Sequence, residues 1–290
     1  MIEAFRRKVE RQVLSLTGLA LGQLDLRSPA GDPGLFGPGS VCWEVHGDFT
    51  AMLIGGIRAL LLQMLHPLAL AGVWDHSNFR EDMLGRLRRT GQFVSGTTYG
   101  STQDAQWLIE KVRCIHLKVT GTADGQPYAA SDPRLLTWVH VAEVSSFLAA
   151  HLRYCDPALS PAAQDQYYGE IALIAERLGA EDVPRSRYEV ERYLQAMRPS
   201  LRCDARTLEV VRLLRAAPAP SRLAKPVGQL MLHAGIGLLP PWAASMLALE
   251  QSLASQTLVR ATVRCTAPFL RWAVRDGSRH RASQRMGLAR

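Results

Sequence analysis

Apolar residues recur along this chain every three or four positions and almost nowhere every second one, so it is built to pack as helices. The stripe Leu108, Val112, Ile115 and Val119 is typical. Helix punctuation divides the chain accordingly. Asp48 or Thr50 is placed to cap a long apolar helix running to about Leu65. Pro67 disfavours helical geometry at the residue before it, which puts His66 at a break. A second helix is predicted from near Ser77, carrying Met83, Leu84, Leu87 and Phe93, and a third over about Asp104–Val119. Residues 120–127 read as the loop that ends it.

Ser131-Asp132-Pro133 is the clearest start signal, a capping side chain directly before proline at the first helical position. That helix runs through Trp138, His140 and Phe147, and Ser160-Pro161 starts another that stops near Gly179. Further helices fit Tyr188–Met197, Thr207–Leu214 and the region beyond Ala243, with Ala217-Pro218-Ala219-Pro220 as a short rigid connection. The expected fold class is all-α: one domain of nine to eleven helices over residues 1–276. A basic tail over 277–290 is expected to have no fixed order.

With 47% apolar and 21% charged residues, the chain has ample means to form a core, and a disordered chain is excluded. The net charge of +8 is unevenly distributed. Residues 202–290 hold 14 Lys/Arg against 4 Asp/Glu, whereas residues 1–201 are slightly acidic. A basic third of this kind is either a solvated face or a surface for peripheral contact with anionic lipid, and no specific nucleic-acid partner is expected. Five scattered cysteines without a CxxC pair suggest neither a disulfide framework nor a structural zinc site. The N-terminal apolar stretch follows Glu3 and Glu10 and lacks a cleavage signature, so it reads as an amphipathic leading helix. Arg58, Gln63, His66 and Pro67 interrupt the most apolar stretch, Ala51–Trp74, before it reaches membrane-spanning length. A cytoplasmic location is the expectation.

The sequence has no GxGxxG, GxxxxGK[ST], GxSxG, HExxH or ExxH signature, which leaves histidines set in apolar helices as the carriers of chemistry. His116 lies between Val112 and Val119 on one helical face, with Arg113 one turn back. A buried imidazole beside a cation stays neutral and can ligate a metal. It can equally be a core histidine bonded to a carbonyl. His140 shares an inner face with Leu136, Val144 and Phe147, where Glu143 could orient its ring; it reads as a second ligand, an acid/base or a satisfied core residue. His66 reads as a polar cap. Arg86, Arg89, Thr90 and Phe93 share one face at i, i+3, i+4 and i+7, suited to binding carboxylates or polarising a bound oxygen species, or else simply solvated.

Five ordered strings within about residues 37–214 together resemble the oxygenase MpaB family, which includes the rubber oxygenases called latex clearing proteins. They are Gly56–Pro67, Arg86–Thr90, Val112–Val119, Ala130–His140 and Tyr167–Glu170. The resemblance implies an all-helical domain, globin-like in the rubber oxygenases, that holds b-type haem through a histidine. It makes His116 of the Arg113-x-x-His116 element the proximal iron ligand, and Arg86, Arg89 and Thr90 the distal element. Arg89 stands where the rubber oxygenases have lysine, and arginine is permanently charged and a poor ligand. The sixth iron position is therefore expected to be open, water-filled or served by another residue. No acidic residue matching the rubber-cleaving site can be placed, so polyisoprene is not the expected substrate. The implied function is a haem-dependent oxygenase using molecular oxygen on a small hydrophobic, isoprenoid or lipid-like molecule, with Arg89, Thr90 and His140 in catalytic roles and Arg86, Arg89, Arg113 and His116 holding the cofactor. A haem carrier or sensor, or a helical scaffold with a basic interaction surface, are the alternatives.

Overall fold

The computed structural model describes residues 1–15, 17–217 and 225–288, and within them the chain forms fourteen α-helices and one hairpin. The first helices are α1 (Ile2–Leu14), α2 (Val41–Val45), α3 (Phe49–Gln63) and α4 (Pro67–His76), with a 3₁₀ turn at Gly18–Leu21 after α1. Next come α5 (Met83–Tyr99) and α6 (Thr102–His116), the strands β1 (Thr120–Ala123) and β2 (Gln126–Ala129), then α7 (Pro133–Tyr154), α8 (Pro161–Leu178) and α9 (Arg187–Met197). The chain continues through α10 (Ala205–Arg215), α11 (Lys225–Ile236), α12 (Pro241–Met246), α13 (Leu253–Ala273) and α14 (Ser278–Arg285). The architecture is all-α, as the periodicity requires. Residues 218–220 of the expected rigid connection lie outside the described residues.

The caps follow the sequence signals. Asp48 accepts from the Ala51 amide, Asp132 from the Arg134 amide ahead of Pro133, and Ser160 from the Ala163 amide. Helix α5 starts later than expected, because Asp82 and not Ser77 supplies its cap, accepting from the Gly85 amide. At His66 the chain turns by 106° between α3 and α4. His66 occupies the cap position without capping through its ring, whose Nδ1 is buried and unpartnered.

Two expectations for the chain's irregular parts are corrected. Residues 120–129 form a β-hairpin, not a plain loop, paired from Thr120↔Ala129 to Ala123↔Gln126. Its turn residues, Asp124 and Gly125, have φ of 51° and 78°, the left-handed pair that a two-residue hairpin turn demands and that Asp-Gly readily supplies. The segment after Asp276 is a docked helix. Arg285 at its end is buried and donates to four backbone carbonyls, of Asp32, Leu26, Tyr99 and Gly100. Burying a guanidinium is tolerable only with such partners, so this arginine orders the basic segment.

The core is centred on α3 crossing α7. Ile54, Leu61, Leu62 and Trp138 are fully buried there. Gly55 permits the close approach: a Cβ at that position would lie 2.9 Å from Phe147 Cδ1 and 3.0 Å from the Ser146 carbonyl oxygen. Arg58, the charge that interrupts the apolar stretch, is itself buried. It donates to the Leu238 carbonyl at 2.8 Å and to Ser146 Oγ at 2.9 Å, and burial lowers its pKa to about 10. Helix α7 is long and apolar enough to cross a membrane, but 78% of its apolar window is buried inside the protein. Its hydrophobicity is spent on the core.

Candidate functional site

Two neighbouring cavities lie beside the α3–α7 core. The smaller, about 290 Å³, is bounded by α4, the end of α6, the hairpin and the first turns of α7. Its walls include Leu68, Val73, Val119, Leu135 and Val139. The larger, about 1410 Å³, extends from α5 to α1 and α13. Leu60, Gln63 and Arg86 line both and make up their shared wall.

His116 is the last residue of α6 and faces the smaller cavity. The helix ends there, three residues sooner than the stripe predicts, and leaves Ile115 half exposed at the rim of the same cavity while the imidazole turns inward. Its Nδ1 is buried with no hydrogen-bond partner, and burial lowers its pKa below the usual histidine value. A neutral ring with unmet nitrogen capacity at an apolar wall is chemically suited to ligate a metal. Arg86 reaches the same space from α5. It donates to Ser77 Oγ at 2.9 Å, and burial lowers its pKa to about 10. It has no carboxylate partner among the described residues, which leaves its charge available to an anionic group.

Thr90, one turn after Arg86, lines the larger cavity together with Leu87, Gly91 and Val94. Arg89 does not join them. The cavity-facing stripe of α5 runs through Leu87, Gly91 and Val94, which turns Arg89 outward to pair with Asp82 at 3.6 Å and donate to Asn78 Oδ1 at 3.2 Å. Arg113 is likewise on the surface, held at 2.8 Å by Glu110, where it reaches neither His116 nor a cavity. Being three residues before an inward-facing histidine at a helix end is not enough to share its face. The expected roles of Arg89 in catalysis and of Arg89 and Arg113 in cofactor binding therefore find no support in the geometry.

His140 is buried in α7 with its Nε2 unpartnered and borders neither cavity, and burial lowers its pKa to about 4. Glu143 does not orient it, since no hydrogen bond joins them. The Glu143 side chain instead faces the larger cavity, where burial pushes its pKa up to about 7. Sequence reasoning assigns this acid only the role of orienting His140 and misses its place on the cavity wall. The visible signal was a lone carboxylate among Val141, Ala142, Val144 and Phe147, which at helical spacing belongs to a buried face.

An unpartnered histidine lines one cavity, an acid near neutrality lines its neighbour, and a half-buried arginine stands on the wall between them. Residues 43–284 match the family described as ER-bound oxygenase mpaB/B'/Rubber oxygenase, catalytic domain. The chain belongs to this family. The match extends beyond the span of the sequence resemblance at its C-terminal end and takes in α11 to α13 and nearly all of α14, so the C-terminal wall of the larger cavity lies within the matched domain, whereas its α1 wall lies outside it. No curated protein and no solved structure matches the chain significantly.

Proposed function

We propose that this oxygenase-family chain is a haem b-dependent enzyme acting with molecular oxygen on a small hydrophobic, lipid-like molecule. The observation that carries the proposal is the His116 imidazole, neutral and unpartnered at the wall of an apolar cavity. The donor set suits a haem: His116 would hold the iron, the leucine and valine walls would cover part of the macrocycle, the rest would extend past the shared wall into the larger cavity because the smaller one offers only about 290 Å³, and Arg86 on that wall would pair with a propionate. Bound there, the haem would supply the oxygen-activating redox chemistry. The protein's own part is to exclude water, to hold the imidazole neutral and to place Glu143 and Thr90 along the adjoining cavity. With a pKa near neutrality, the Glu143 carboxyl can give or take a proton at its oxygen near pH 7, and the Thr90 hydroxyl can donate a hydrogen bond into the same cavity.

The larger cavity also indicates a substrate class. Its lining includes Phe5 and Lys8 of α1, Phe269 of α13 and Arg275 just beyond it. Phe5, Phe269 and Trp272 are exposed and adjacent, with ring centroids 6.4 and 5.7 Å apart. Aromatic rings beside cations suit the surface of an anionic membrane, which supports peripheral contact and delivery of a lipid-like molecule to the cavity. The basic C-terminal third thus has a local use at this patch.

The test is spectroscopic. The protein, expressed with haem supply, is expected to show a Soret band at one haem per chain and to consume oxygen with a reductant and a candidate lipid. Absence of haem binding under every expression condition removes the cofactor assignment. Haem binding without oxygen consumption favours the carrier or sensor. Salt-sensitive sedimentation with anionic vesicles tests the membrane contact.

A further inference from the structure

A second histidine cluster lies away from His116. His151, in the last turn of α7, is 3% exposed, and both of its ring nitrogens lack a hydrogen-bond partner. A neutral imidazole has one donor and one acceptor and a charged one has two donors, so in either form this ring is left wholly unsatisfied by the protein. Its ligand atom, one carboxylate oxygen of Glu44 on α2 and one of Asp156 in the turn after α7 all lie within 4.8 Å of one another. The turn is preorganised: the Asp156 amide donates to the His151 carbonyl, and Asp156 Oδ1 accepts from the Ala158 amide at 2.9 Å. All three residues line the larger cavity.

We propose that Glu44, His151 and Asp156 form a divalent transition-metal site of the zinc class, which ties α2 to the end of α7 and opens on the larger cavity. Two carboxylates balance a doubly charged ion, and the imidazole nitrogen favours a zinc-like metal over calcium or magnesium. Metal–ligand distances of about 2.0–2.2 Å put a common ion within reach of the three atoms after small side-chain adjustments. Three protein ligands leave a coordination position free toward the cavity, as in sites that bind water or a substrate group. Asp48 is near but already committed, accepting from the Ala51 amide at 2.8 Å and from Arg271 Nε at 2.6 Å. Arg279 is the opposing charge whose field reaches His151. The site shares no residue with the wall around His116, so it stands independently of the haem assignment.

The experiment is calorimetric titration of the chelator-stripped full chain with zinc sulfate, with thermal unfolding in parallel. One equivalent is expected to bind and to raise the unfolding temperature, as any ligand specific to the folded state does. His151→Gln, Glu44→Gln and Asp156→Asn are each expected to weaken binding by more than the ~10–100-fold lost when an outer-shell partner of a metal is changed. His116→Ala is expected to leave the affinity unchanged, and Arg279→Gln to tighten it. Equal zinc binding by the parent and all three ligand variants overturns the site, because the ion would then sit elsewhere, for example on a cysteine. Absence of binding by the parent, or loss of binding in His116→Ala, overturns it as well. The asparagine and glutamine variants keep side-chain volume, and wild-type far-UV dichroism in them makes the comparison valid.

Discussion

His46 and His116 are both set among apolar helices and both are held neutral by burial, yet they occupy opposite kinds of environment. At His46, Nδ1 meets Thr98 Oγ1 at 2.9 Å and Nε2 meets the Tyr167 hydroxyl at 2.8 Å, so the ring is a fully matched strut between α2, α5 and α8. At His116 no partner is offered and the ring faces a cavity. Burial alone therefore does not distinguish a site from a scaffold. An unmatched nitrogen that also faces a cavity does: most buried polar groups are satisfied, and His66 and His140, whose buried nitrogens are likewise unpartnered, border neither cavity.

The largest effect expected is a double contrast. His116→Ala abolishes the Soret band while stability and far-UV helicity survive, since an unpartnered group is removed. His46→Ala keeps haem binding but costs about 2–6 kcal/mol, because two buried hydroxyls each lose their partner at ~1–3 kcal/mol. Denaturant melts and haem content measured on both variants check it, and loss of haem in His46→Ala alone would reverse the assignment.

Next in size is the larger cavity's acid. A carboxyl whose pKa is raised to about 7 in the folded chain stabilises the fold fully below its ordinary value of 4.5. That contribution is lost as pH rises through 7. Stability should thus fall between pH 4.5 and 7 and flatten above, by a few kcal/mol at most given ~1.4 kcal/mol per pKa unit. Glu143→Gln should remove this component of the slope and, if the carboxyl handles protons in turnover, the matching limb of the activity profile. Stability curves of parent and variant that stay parallel would mean the acid is solvated.

A smaller difference separates the arginines of α5. Arg86→Gln is expected to weaken haem retention about tenfold, the equivalent of one charge-assisted hydrogen bond at ~1.5 kcal/mol. Arg89→Gln, on the surface, should leave it unchanged. Haem transfer to an apo-globin acceptor measures both, and equal off-rates would place Arg86 outside the cofactor's reach. Smallest of all is Arg113→Ala. An exposed ion pair contributes ~0–1 kcal/mol, so neither haem content nor melting temperature should move appreciably. A marked drop in haem content would restore the role that the resemblance implied.

The fold class and most helix starts were legible because capping residues and proline act locally: Asp48, Asp132-Pro133 and Ser160-Pro161 each cap the helix that follows. The hairpin reads as a loop in the sequence although Asp124-Gly125 is a hairpin-turn pair, because its strands are only four residues each and too short to show an alternating pattern. For the site, spacing picked out three cavity-lining residues, His116, Arg86 and Thr90, the last of them exposed. It failed for Arg89 and Arg113, because a three-residue step carries a side chain 60° around the helix and the margin of a cavity is decided by neighbouring helices. Arg285, four backbone carbonyls deep, could not be told from a solvated tail, since its partners are 185 or more residues away in sequence.

That distance has a consequence for biogenesis. The larger cavity has α1 on one side and residues 269–283 on another, and the Arg285 contacts fix those late residues against the loop that follows α1. During synthesis the α3–α7 core can assemble early from nearby segments. The chamber itself cannot close until residue 285 has emerged, so its last wall is set in place only after the core beside it has formed.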